Sequence, residues 1–193
     1  MPVSEREWVK QLVPDVRELL KRDASLECHD GLRLPYRHEV LTYNSSKKQE
    51  PEQSDSASYQ TDLAVIENRG EAHWSPRLIV EVKLESVTTH DAITYSNKAE
   101  AHKRVHPYVR YGILIAGCRE RFLPNRLLRH GSHFDFMVAW PKLKPSQAEW
   151  RRFDELIHSE VKASRTLFTF IEEGGSKGRQ RYSWLRRSLE LGG

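Results

Sequence analysis

Three charged side chains on two consecutive apolar runs could do chemistry together: Asp62 in TDLAVIE, and Glu81 and Lys83 in PRLIVEVKLE. Two carboxylates and an ammonium brought together by a β-hairpin make a site able to hold a divalent cation and a water beside a phosphodiester. Side chains alternate along a strand, so Asp62, Ala64 and Ile66 share one face, and Ile79, Glu81, Lys83 and Glu85 share one face of the next run. An antiparallel register with Glu67 opposite Pro76 places Asp62 opposite Glu81 and leaves Asn68–Ser75 as the loop. The opposite faces carry Leu63, Val65, Leu78, Val80, Val82 and Leu84, enough apolar surface to seat the hairpin on a helix layer. A slip of one residue would scatter the acids, so the register is part of the expectation.

The alternative is a charged ladder on an exposed sheet face. Against it stands the length of the apolar runs: strands this hydrophobic are usually covered on both sides, and a buried carboxylate needs a metal or a cation. A second acid-x-lysine triplet, Glu160-Val161-Lys162, lies where Trp150, Phe153, Ile157, Val161 and Phe168 step at helical spacing, and reads as a solvated helix face.

The elements that must position the three residues follow from the same patterns. A helix over Ser4 to Asp23 starts at Ser4 with Glu7 three residues on, carries a broad apolar stripe, and contains Pro14 as a possible kink. Tyr36–Tyr43 reads as a first strand. Residues 44–58 are almost free of apolar side chains and read as a mobile loop insertion. A helix capped by Thr89 or Asp91 runs to about Val105, Pro107 ends it, and Val109–Ala116 is a central strand. Phe134–Trp140 is a further strand, and a long helix covers Ser146 to Ile171. The class is α/β: a mixed sheet built from helix, three strands, helix and strand, flanked by helices. With 193 residues it reads as a single domain, with a basic C-terminal tail over 174–193.

This order, with an Asp-bearing strand, a Glu-x-Lys strand, a helix and an apolar strand, resembles the PD-(D/E)XK nuclease superfamily, whose fold is restriction-endonuclease-like. The similar stretch runs from about Ser4 to about Gly117, and Tyr59 to Gly117 is its most telling part. Thr61 stands where the family often has proline. The resemblance implies a DNA endonuclease with Asp62, Glu81 and Lys83 as catalytic residues. Mg²⁺, with Mn²⁺ as a substitute, would be held by Asp62, Glu81 and the backbone carbonyl of Val82. Products would carry 5′-phosphate and 3′-hydroxyl ends. It also implies that Lys98 or Tyr95, on the following helix, lies near the metal, and that Glu18 or Glu39 could supply a further acid.

Other constellations are less specific. His102 and His106 are four apart with His130 and His133 nearby, but no cysteine accompanies them and Pro107 breaks their helix, so they read as polar surface. Net charge is +4, mildly favouring a polyanionic partner. Lys98, Lys103 and Arg104, and the tail residues Lys177, Arg179, Arg181, Arg186 and Arg187 interleaved with Tyr182 and Trp184, are candidates for DNA contacts. The equal alternative for the tail is a solvated helix end. Cys28 and Cys118 make no disulfide framework, no apolar run is long enough for a bilayer, and the N-terminus is unlike a signal peptide, so the expectation is a cytoplasmic protein with no membrane partner. A type II restriction-like endonuclease acting as a homodimer comes first, because a two-fold pair suits cutting both strands of a palindrome. A repair or junction-resolving nuclease, and a catalytically inactive DNA-binding or structural member of the fold, are the alternatives.

Overall fold

The computed structural model of the chain describes residues 3–46, 50–173 and 190. The first helix, α1 (Glu5–Leu20), opens with the capping box its sequence predicts: the Ser4 hydroxyl accepts from the Glu7 N–H, and the Glu7 carboxylate accepts from the Ser4 N–H. Pro14 lies inside α1, on its exposed side, while Trp8, Val9, Leu12, Val13, Val16 and Leu20 are buried.

Seven strands follow: β1 (Leu26–Asp30), β2 (Arg33–Asn44), β3 (Glu50–Gln60), β4 (Leu63–Asn68), β5 (Trp74–Leu84), β6 (Arg110–Ala116) and β7 (Phe136–Trp140). Helix α2 (Thr89–Val105) links β5 to β6, α3 (Asn125–His130) links β6 to β7, and α4 (Gln147–Glu172) follows. The main sheet has the order β1-β4-β5-β6-β7. Its first three strands are antiparallel and its last three parallel, as the short hairpin after β4 and the helical crossover after β5 require. The molecule is therefore mixed α/β.

Helices cover both faces of this sheet. On one, Trp8, Leu12 and Val16 of α1 and Phe153, Ile157 and Val161 of α4 pack against Leu63, Val65, Leu78, Val80, Val82 and Leu114. These include the very strand residues expected to seat the hairpin. On the other, Ala92 and Ala99 of α2 and Leu127 of α3 pack against Ile79, Tyr111, Ile113 and Ile115. Among the described residues no helix is long and apolar enough to cross a membrane.

The hairpin register is the expected one where the acids lie. Leu63 pairs with Val80, Ala64 with Ile79 and Val65 with Leu78. Beyond Val65 it shifts: Ile66 pairs with Pro76 and Glu67 with Ser75, so Glu67 is not opposite Pro76. The extra residue is Arg77, 1% exposed, whose guanidinium pairs with Glu67 and lies 4.6 Å from the Phe168 ring centre and 5.6 Å from that of Tyr108. A bulge lets this long charged side chain enter the interior without disturbing the alternation nearer Asp62.

Two expectations are corrected. Tyr36–Tyr43 belongs to β2, which among the described residues pairs with β3 in a separate two-stranded arm, and the strand that flanks β4 on the side away from β5 is β1. Residues 44–58 are not a loop throughout: Glu50–Gln60 forms β3 along β2. Most of the arm is exposed on both faces, so solvent imposes no apolar alternation on β3 and its polar composition gives no strand signal.

Candidate active site

Thr61 sets the entry to the site. Its N–H and hydroxyl both donate to the Leu32 carbonyl, at 2.9 and 3.0 Å, and its own carbonyl accepts from Gly31 N–H. A proline here could not make the first of these bonds. The next residue, Asp62, lies just before β4, and its carboxylate accepts from the Val82 N–H at 2.8 Å. The acid is thereby fastened to the backbone of the Glu-x-Lys strand.

Glu81 projects from β5 toward α2 and is 1% exposed. The Tyr111 hydroxyl donates to its Oε1, and the Lys98 ammonium lies 2.8 Å from the same oxygen. Burial pushes the Glu81 carboxyl up from its ordinary 4.5 to about 7; Lys98 opposes the rise and the Asp62 charge reinforces it. Asp62 and Glu81 are thus electrostatic neighbours, as the register predicts. Tyr111 lies well above an ordinary phenol, because it is buried and faces the Glu81 charge, so its proton stays in place as a donor.

Two lysines flank the carboxylates. Lys98 also donates to the Gln60 carbonyl at 3.0 Å, which ties α2 to the end of the arm. Lys83 lies 4.9 Å from the Tyr95 ring centre and 3.3 Å from the Glu5 carboxylate. Burial works against the Lys83 ammonium, but Tyr95 and Glu5 outweigh it and hold its pKa above the ordinary value. Tyr95 and Lys98, three residues apart on α2, face the site together. Lys98 therefore contacts Glu81 directly, and the Tyr95 ring lies between the two lysines, 4.9 Å from Lys83 and 5.6 Å from Lys98.

The remaining candidates lie elsewhere. Glu18 pairs with Lys21 on the exposed side of α1, and Glu39 sits on the arm opposite Asp55 beside Arg37. The α1 acid that reaches the site is Glu5. Lys103 is held by Asp135 at 2.8 Å and by the His133 carbonyl, and Arg104 pairs with Glu100 on an exposed turn of α2. Lys177, Arg179, Arg181, Arg186 and Arg187 lie outside the described residues. Glu160 is not on a solvated face: 13% exposed, it pairs with Arg110, which also binds Asp135. His102 is not surface either. It is fully buried, stacked on Tyr111 at 5.5 Å, and burial lowers its pKa to about 4.

Sequence reasoning missed Glu5 and Tyr111. Glu5 reads as a first-turn acid answering the helix dipole, a sufficient reason for it without a site. Tyr111 left a fainter trace, since a buried tyrosine in an otherwise aliphatic strand carries a hydroxyl that must find a partner.

As a cation site the arrangement has an oxygen donor set of Asp62, Glu81 and nearby backbone carbonyls. Among the described residues no group of three or more His, Cys, Asp and Glu side chains is gathered for a metal. A hard cation that keeps several waters fits two carboxylates, whereas a structural zinc does not. The buried Glu81 carboxylate already draws an ammonium to itself, which is the charge a bound cation would bring. No protein-family model matches the chain, and no curated protein matches it.

Proposed function

We propose that this protein is a Mg²⁺-dependent endodeoxyribonuclease of the PD-(D/E)XK kind, with a restriction-endonuclease-like fold and a restriction-type role acting on duplex DNA as a homodimer. One observation carries the reading: Asp62, just before β4, accepts from the Val82 N–H of β5 beside the buried Glu81 and acts on its charge, with Lys98 at Glu81 and Lys83 two residues further along β5. A structural core has no need of two adjoining acids, because each buried charge destabilises the fold unless it is paired.

Asp62, Glu81 and the Val82 carbonyl would hold the ion. When bound, Mg²⁺ supplies charge stabilisation at the scissile phosphate and a more acidic water. The chain's residues do the rest. Val82 N–H fixes the aim of Asp62, and Tyr111 and Lys98 hold Oε1 of Glu81. Glu5 and Tyr95 keep Lys83 protonated and in place, so that it can orient the attacking water or neutralise charge growing on the phosphoryl oxygens.

Incubation with plasmid and with branched DNA tests the reading, in Mg²⁺ or in chelator, beside Asp62→Ala. Discrete Mg²⁺-dependent fragments, absent with the variant, are expected. Cuts confined to branched DNA would replace the restriction role by junction resolution or repair. Hydrolysis that survives Asp62→Ala, or no hydrolysis at all, would overturn the proposal.

A further inference from the structure

We infer that Tyr111 is the positioning residue that aims Glu81 at the cation, an inference that rests on the proposed metal site. Among the described residues, both polar contacts to Glu81 fall on the same oxygen, Oε1: the Tyr111 hydroxyl and the Lys98 ammonium. A carboxylate held by one oxygen has its rotation fixed and its other oxygen turned away from the donors. Oε2 is therefore the oxygen assigned to the ion.

The two donors are not equivalent. Lys98 is on a long flexible stem and spends part of its bonding on the Gln60 carbonyl. Tyr111 is rigid, is buried, and is gripped from several sides. His102 stacks on its ring at 5.5 Å and Phe134 at 6.4 Å, and the Asp135 carboxylate accepts from its backbone N–H at 2.8 Å. His102 is itself tethered 3.3 Å from the Leu34 carbonyl at the base of the arm. Tyr111 also lies on β6, whose pairing with β5 sets Ile79 beside it and Ile113 beside Glu81. The hydroxyl thus reaches Glu81 from a strand that is hydrogen-bonded to Glu81's own, so donor and carboxylate move as one.

Partners that orient a metal ligand are commonly worth about 10–100-fold in metal affinity. The test is Mn²⁺ affinity, measured by calorimetry for the full-length wild type, Tyr111→Phe, Glu81→Gln and the double variant. Tyr111→Phe is expected to weaken Mn²⁺ binding about 10–100-fold, and to lower the thermal midpoint while the protein still unfolds in one cooperative transition. Added to Glu81→Gln, the same change should cost no further affinity, because Tyr111 acts through Glu81. The double variant also serves if Tyr111→Phe alone does not fold. Unchanged Mn²⁺ affinity in Tyr111→Phe, or a further loss of about tenfold in the double variant, would overturn the inference. A wild type that binds Mn²⁺ but cuts no DNA would overturn the nuclease reading and leave this one standing; a wild type that binds no Mn²⁺ would overturn both.

Discussion

Glu81 carries an electrostatic cost at the molecule's centre. Its carboxyl is raised from 4.5 to about 7 by burial, so between those values the folded protein binds a proton that the unfolded chain has lost. The sign follows. This contribution to stability is fully present below about pH 4.5 and is lost as pH rises through about 7, a change on the order of a few kcal/mol. Glu81→Gln should therefore raise the thermal midpoint in chelator at pH 8 and have little effect at pH 4, read from midpoints of the two proteins across that range. His102, depressed to about 4, contributes with the opposite sign, but equally in both proteins, and cancels from the difference. Mn²⁺ affinity of the wild type should rise with pH up to about 7, because the ion binds the ionised carboxylate. The acids themselves were legible because alternation in TDLAVIE and PRLIVEVKLE allows few faces. Tyr111 and Glu5 were not, since each has an ordinary reason to stand where it does and only the folded geometry brings them to Glu81 and Lys83.

At the level of elements, the two acid-x-lysine triplets part company for reasons no local pattern contains. Glu81 lies on a strand whose neighbours supply donors. Glu160 lies on α4 against β6, closing an Arg110 and Asp135 network in which all three side chains are at most 14% exposed. Removing one member of such a network strands the others, so Glu160→Ala should cost about 2 kcal/mol of stability, measured by urea unfolding. DNA hydrolysis at 25 °C should be unchanged. A glycine on the same sheet makes a sharper case. Gly112 pairs with Phe136 across β6 and β7, and the Phe136 ring occupies the space a Cβ on Gly112 would need. Gly112→Ala should therefore destabilise the fold by more than about 1 kcal/mol, read from the same unfolding curves. Helices and central strands were readable because burial imposed their periods. The capping box at Ser4 was a strong signal, whereas the exposed arm left β3 without one and β1 was too short to stand out.

For the whole molecule, a net charge of +4 is too small to bind DNA by itself, so the placement of basic residues decides. Lys103 and Arg110 are tied to Asp135, and Lys98 to Glu81; on the proposed reading, phosphate contacts by the tail would then add to binding, and their absence would make it a solvated helix end. Replacing Lys177, Arg179, Arg181, Arg186 and Arg187 with alanine should flatten the salt dependence of DNA affinity by nearly one unit of slope per lost contact, measured with Ca²⁺ in place of Mg²⁺. Sequence preference should stay the same, because phosphate contacts position without reading bases. The central claim is narrower than DNA binding: Asp62 and Glu81 share one cation. Its most direct test is the anomalous difference map of a crystal of the protein soaked in Mn²⁺. The account predicts a single strong peak about 2.1 Å from a carboxylate oxygen of Asp62 and from Oε2 of Glu81, absent from crystals of Glu81→Gln. A peak at other residues only, or none at Mn²⁺ concentrations that support hydrolysis, would contradict it.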